Sequence, residues 1–168
     1  MSVLSSSFAP GPHVLVASRD PIFARSIAAS LESKGAEIHL WEWHDAWSAD
    51  EPRLQGVDVL LVETRGLREE EWSLVERVRE RSPMVEIVAI SEDPLVESAV
   101  QALRSGVYTL LAYPVSDDQL LETITQATAR KRRGEQRIRA LESASAWEWT
   151  GRTTPSGAKG GRSSTDRS

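Results

Sequence analysis

The sequence predicts an α/β domain, a doubly wound parallel sheet of five strands with helices on both faces, from three observations. Five short apolar runs, too short for ordinary helices and rich in Val, Ile and Leu, recur between residues 13 and 114. Stretches with helical apolar spacing separate them. Asp-Pro pairs open two of those stretches and glycines close them, which is the punctuation of successive strand-helix units.

Residues 1–12 (MSVLSSSFAPGP) read as a loose leader, and HVLVAS (13–18) as the first buried strand. Asp20 before Pro21 supplies an N-cap and a proline at the first helical position. Phe23, Ala24, Ile27, Ala28 and Leu31 make one apolar face, and Gly35 ends the helix. Glu37 to Trp43 alternates as an edge strand should, with Ile38, Leu40 and Glu42 opposite its other residues. A shortened second helix is expected over 44–56.

The run VDVLLVETRG (57–66) is the central strand, with Glu63 at its carboxyl end, where ligands bind in open α/β sheets. Residues 67–81 predict a mostly solvated helix with Trp72, Val75 and Val78 inward. MVEIVAIS (84–91) is the fourth strand. After Asp93-Pro94, the spacing of Val96, Ala99, Val100 and Leu103 predicts a buried helical face, closed by Gly106. VYTLLAYP is the fifth strand. Ser116 and Gln119 form a capping-box pattern for a final helix burying Leu120, Ile124 and Ala127.

That helix is expected to run on as a basic extension over 131–150. Its heptad seam, Leu120, Ile124, Ala127, Lys131, Gly134, Ile138 and Leu141, is broken by the lysine and the glycine, so a coiled-coil homodimer is left open but poorly supported. Residues 151–168, mostly Gly, Ser, Thr and basic residues without apolar periodicity, predict a disordered tail. The organisation is thus leader 1–12, domain 13–130, extension 131–150 and tail 151–168.

The 168 residues suffice for one core, and the absence of cysteine excludes disulfides and thiolate metal sites. No signal-like leader or apolar run of membrane-spanning length occurs, so a soluble cytoplasmic protein is expected. The net charge of -5 divides into about -11 over residues 1–129 and +6 over 130–168. An acidic globule carries a basic end.

The order of elements, with ALRSGVYTLLAYPVSDDQLLETI and VDVLLVE as its best local evidence, resembles the CheY-like receiver domain of bacterial two-component response regulators over roughly residues 13–130. The resemblance implies a flavodoxin-like receiver topology, a phosphoacceptor aspartate ending the third strand and two acids after the first strand holding Mg²⁺. Here Glu63 stands at the phosphoacceptor position and Ser18 and Arg19 at the acidic pair. Ser91 matches the family's Thr or Ser, Tyr113 replaces the lysine before the conserved-type Pro114, and Leu110 replaces the aromatic switch residue.

Physical chemistry independently disfavours the family's reaction. A guanidinium at Arg19 competes with a cation for the carboxylate of Glu63, and Mg²⁺ needs an oxygen shell. Phosphoryl transfer rests on charge stabilisation by metal and lysine, and the longer Glu63 displaces a nucleophile from in-line geometry. No cofactor and no metal site are therefore expected. Asp20 reads as a cap, although it could be a remaining metal ligand; Glu63 either mimics a phosphorylated aspartate or pairs with Arg19. His13, His39 and His44 lack metal-ligand spacing. Trp41, Trp43 and Trp47 suit either a binding patch or packing beneath the second helix, and Trp147 with Trp149 a docking motif.

The expectation is a non-enzymatic pseudo-receiver: a phosphorylation-independent adaptor whose protein partner supplies the output, since no further domain follows residue 130. The resemblance places its contact face at Val96, Gln101, Arg104, Leu110, Tyr113, Ser116 and Gln119. Two alternatives stand beside it. One is binding of nucleic acid or an anionic surface by Arg130, Lys131, Arg132, Arg133, Arg137 and Arg139, which lack aromatic interleaving. The other is a functional phospho-receiver.

Overall fold

The computed structural model describes residues 10–42, 53–64, 69–92 and 96–151. Five strands, β1 (His13–Ser18), β2 (Glu37–Glu42), β3 (Val59–Thr64), β4 (Glu86–Ser91) and β5 (Thr109–Ala112), form one sheet. All neighbours are parallel, in the order β2-β1-β3-β4-β5. The strand order reverses around β1, so the crevice expected of a doubly wound sheet lies at the carboxyl ends of β1 and β3. Four described helices accompany the sheet: α1 (Pro21–Glu32), α2 (Glu69–Arg81), α3 (Val96–Arg104) and α4 (Asp117–Gly151).

The pleat sorts the buried strands into two cores. Leu15, Ala17, Leu60, Val62, Ile87 and Ala89 pack with Trp72, Val75 and Val78 of α2 and Ala102 of α3. Their alternates Val14, Val16, Val59, Leu61, Val88 and Ile90 pack with Ile27 and Leu31 of α1 and Leu120, Ile124 and Ala127 of α4. Central strands covered on both faces need apolar residues at every position, which is why β1, β3 and β4 read as continuous runs. The edge strand β2 exposes Glu37, His39, Leu40 and Glu42 and tucks in only Ile38 and Trp41.

Local capping follows the sequence closely. The Asp20 carboxylate accepts from the backbone N–H groups of Ile22 and Phe23 at 2.9 and 3.2 Å, starting α1. The Ser116 hydroxyl accepts from the Gln119 N–H at 3.2 Å and starts α4. Gly35, at φ 90°, turns the chain after α1 in the left-handed conformation glycine favours.

Several expectations change. The predicted second helix over 44–56 lies mostly outside the described residues, as do Trp43, His44 and Trp47; its last residues, 53–56, are a turn rather than a helix. Trp41 packs against the core. In α2 the covered side is wider than its charge suggested, taking in Leu74 and Glu71 as well as the three predicted residues. The largest change is in α3. Its fully buried residue is Ala102, about 200° round the helix from Val100. Val100 and Leu103 are 44% and 61% exposed. An alanine at the contact allows close approach to the sheet, and the larger side chains are turned outward.

The chain divides into two compact units, Met1–Glu135 and Gln136–Ser168. Within the second, Ile138 and Leu141 of the predicted seam are exposed, as is Trp147. The predicted tail beyond Gly151 lies outside the described residues. No described helix is long and apolar enough to cross a membrane.

The end of the leader is pinned rather than loose. The Pro12 carbonyl accepts from the Glu37 N–H at 2.9 Å, and a Cβ on Gly11 would lie 2.0 Å from the Gly35 carbonyl oxygen. Because the opposing atom is backbone, a side chain there forces the segment to move. Gly11→Ala should therefore destabilise the domain by about 1–3 kcal/mol in urea unfolding; an unchanged midpoint would contradict the close approach.

Candidate functional site

At the carboxyl edge of the sheet, β1, β3, β4 and the end of β5 bring Ser18, Glu63, Ser91 and Tyr113 to one end of the fold. Ser18 and Ser91 are buried and Glu63 is half-buried. The Ser18 hydroxyl donates to the Glu63 carboxylate in a short hydrogen bond and accepts from the Asp20 N–H at 2.9 Å. The Asp20 carbonyl lies 3.0 Å from the same hydroxyl, but a hydroxyl has one proton, and the charged acceptor makes the stronger bond. A neutral side chain thus meets Glu63 at the end of β1.

The remaining acid is committed elsewhere, since one carboxylate oxygen of Asp20 caps α1. Arg19, half-buried, follows Ser18 at the end of β1. Tyr113 is positioned by its N–H, which donates to the Ser91 carbonyl at 2.8 Å. Its ring meets Phe23 of α1 edge-on, with centroids 5.2 Å apart, a favourable aromatic geometry. Where the family resemblance calls for a cationic lysine, the structure has an aromatic contact between α1 and the β5–α4 connection. Pro114 follows Tyr113 through a cis peptide bond, and Ser30 of α1 donates to Asp117 of α4 at 2.7 Å.

The sequence-derived contact face is only partly a surface. Gln101, Arg104, Ser116 and Gln119 are exposed and Tyr113 is 36% exposed, whereas Leu110 packs against the core. Val96 is the first residue of α3.

The basic segment is put to a different use from the one expected. Asp58, buried just before β3, accepts from the His13 N–H at 3.0 Å, from Lys131 Nζ at 3.3 Å and from Arg132 Nη2 at 2.8 Å. Lys131 is itself buried and also pairs with Glu135 at 2.9 Å. Arg132 donates further to the carbonyls of Pro10 and Gly11, at 2.9 and 3.0 Å. Nearby Glu86, buried at the start of β4, lies 3.4 Å from Arg130 Nε and 3.8 Å from Arg79 Nη2. Arg130 also lies over the Tyr108 ring, 5.5 Å from its centroid.

Three consecutive basic residues of α4 therefore bind the amino-terminal edge of the sheet. Of the six proposed as an external surface, Arg133, Arg137 and Arg139 remain exposed without such a role described. The same contacts explain the two residues that spoil the heptad seam. Lys131 reaches Asp58, and a Cβ on Gly134 would lie 2.6 Å from the Met84 methyl group. Sequence reading missed Asp58 and Glu86 because it treated them as parts of strands; the available signal was a carboxylate interrupting each apolar run.

No family model matches the sequence. It is 27% identical over 120 residues to the transcriptional regulatory protein ZraR of Salmonella typhimurium, covering 71% of this chain and 27% of that relative's length. Its fold is similar to that of a pilus assembly-related protein from Burkholderia pseudomallei, with TM-score 0.65, 21% identity and coverage of 73% of this chain and 93% of the other. It is also similar to a CheY-like response regulator receiver domain protein from Methanospirillum hungatei, with TM-score 0.62, 19% identity and coverage of 74% and 98%.

Burial would raise the Asp58 carboxyl, but the hydrogen bonds from Arg132, His13 and Lys131 and the Arg132 charge outweigh it and hold it below the ordinary value of 3.8. A lowered folded-state value contributes stability above the unfolded value and loses it as pH falls through the folded one. Asp58→Asn should thus be clearly destabilising at pH 7 and have a shallower loss of stability between about pH 5 and 2 than the wild type, read by urea unfolding. Truncation to alanine, which removes the acceptor shared by the His13 N–H, Lys131 and Arg132, should cost about 3 kcal/mol. At the opposite edge, Ser18→Ala should cost about 1–3 kcal/mol by leaving Asp20 N–H and Glu63 each short of a partner.

Proposed function

The chain has the receiver-domain fold of CheY-like response regulators, and on that premise we propose that it is a pseudo-receiver, a phosphorylation-independent signalling adaptor acting through protein contacts. The observation that carries this reading is the outward side of α3. Val100 and Leu103 are exposed there, and Tyr113 is exposed at the end of β5. Large apolar side chains exposed on a charged domain favour a protein partner, whose contact removes them from water.

Independence from phosphate is supported by the carboxyl edge. Ser18 hydrogen-bonds Glu63, Asp20 caps α1, and Tyr113 packs on Phe23. Phosphoryl transfer depends on concentrated positive charge around the phosphate, and a neutral hydroxyl and an aromatic ring do not provide it. The fold neighbour described as pilus assembly-related supports reading this scaffold outside transcription. Nucleic-acid or anionic-surface binding by residues 130–139 is less favoured than the sequence suggested, because Arg130, Lys131 and Arg132 are engaged with Glu86 and Asp58.

Incubation with acetyl phosphate and Mg²⁺ should leave the intact mass unchanged; a phosphate adduct on Glu63 would overturn the reading. With the partner obtained by cross-linking in the source cells, Leu103→Ser and Tyr113→Ala should each weaken the purified complex at least about tenfold, the effect of losing an apolar anchor. Full affinity in both variants would move the contact to another surface.

A further inference from the structure

β2 ends the strand order, and among the described residues no strand lies beyond it. Its backbone alternates in direction. The Glu37 N–H donates to the carbonyl of Pro12, just before β1, at 2.9 Å. In this parallel pair Glu37, His39 and Trp41 therefore turn their backbone groups toward β1. Ile38, Leu40 and Glu42 turn theirs outward, along the open edge. The side chains of these three share one face of the sheet, and Leu40 there is 48% exposed.

We infer that this edge is a contact surface for a second copy of the chain, the two β2 strands pairing antiparallel around a two-fold axis at Leu40. An antiparallel pair exchanges both backbone hydrogen bonds at alternate residues. With the axis at Leu40, Leu40 meets Leu40 and Ile38 meets Glu42 in both directions, so every outward group of the strand is bonded. A two-fold contact requires that residue i meet j while j meets i, and this register satisfies it. With the axis at His39 instead, Glu42 needs Ala36, whose N–H already donates to the Leu31 carbonyl at 3.2 Å.

The side chains fit the same register. Leu40 meets its counterpart with Ile38 of the other copy on the diagonal, so the exposed leucine gains an apolar cover. On the opposite face the exposed His39 lies across from Trp41 of the other copy, in a pair without backbone bonds, where side chains approach most closely. No carboxylate of β2 faces another, which is why a second copy suits this edge.

The contact lies at the opposite end of the strand order from β5, and it goes beyond the adaptor reading without resting on it. One six-residue strand per copy makes an interface below about 1,200 Å², so the association is weak and concentration-dependent. A pair joined in this way presents two copies of the α3 side, and a partner with two matching sites binds it by avidity.

Hydrogen exchange followed residue by residue by NMR tests the pairing on the full-length chain, with sedimentation velocity over the same concentration series. The amides of Ile38, Leu40 and Glu42 should exchange rapidly in dilute solution and at least about tenfold more slowly as the dimer forms. Those of His39 and Trp41, bonded to β1 in either state, should not change. Leu40→Lys should weaken the dimer at least about tenfold, since a lysine from each copy then meets at the axis. The chain has no cysteine of its own, and the Cα spacing of about 5.5 Å in a hydrogen-bonded pair accepts a disulfide. Leu40→Cys oxidised with diamide should therefore yield a covalent dimer. Both variants alter an exposed side chain, and circular dichroism checks that each folds. A wild type monomeric throughout, a dimer that Leu40→Lys leaves intact, or amides at Ile38, Leu40 and Glu42 indifferent to concentration overturns the inference. Slowing of those amides only when another protein is added assigns the edge to that protein and equally overturns self-pairing.

Discussion

The carboxylate of Asp58 holds the amino-terminal side of the domain together. It sits where the end of the leader, β1, β3 and the middle of α4 converge, and it receives bonds from His13, Lys131 and Arg132. A buried charge is tolerated only when other groups replace its hydration. Here the replacements come from segments more than 40 and 70 residues distant in sequence. Position of the final helix and position of the first strand are consequently tied to one group. The parallel arrangement at Glu86, with Arg79 and Arg130, extends the same tie toward β5.

The two edges of the sheet use charge in opposite ways. At the amino edge, cations and carboxylates are brought together and neutralise one another. At the carboxyl edge, where doubly wound folds carry their chemistry, Glu63 meets a hydroxyl and Tyr113 packs on Phe23. Asp20 and Tyr113 serve capping and packing there, and the outward face of α3 carries exposed apolar residues.

That face depends on a small residue. Ala102 lets α3 lie close to the sheet, and the consequence is that the more apolar side, Val100 and Leu103, points to water. An arrangement with the larger residues inward would bury more area and expose less apolar surface on this helix. The choice is visible only in which residue touches the sheet.

How much was legible follows from the range of the forces involved. The five strands, the caps at Asp20 and Ser116, the inward faces of α1 and α4, and the receiver topology were all readable, because periodicity, capping and turn chemistry act between residues a few positions apart. The placement of Ser18, Glu63 and Tyr113 at the carboxyl edge was readable too, because the strand ends identify those positions. Sequence could not decide which side of α3 faces the sheet, since a short helix with apolar residues around much of its circumference is oriented by its neighbours. Nor could it reveal that Arg130, Lys131 and Arg132 pair with Glu86 and Asp58: a basic run and two isolated carboxylates become partners only when the parallel sheet brings their elements to one edge. The local chemistry of the chain determined its elements and the character of its carboxyl edge, while the tertiary structure decided which charges are spent on the fold and which surfaces remain, because pairing of distant charges and competition for burial exist only in the packed molecule.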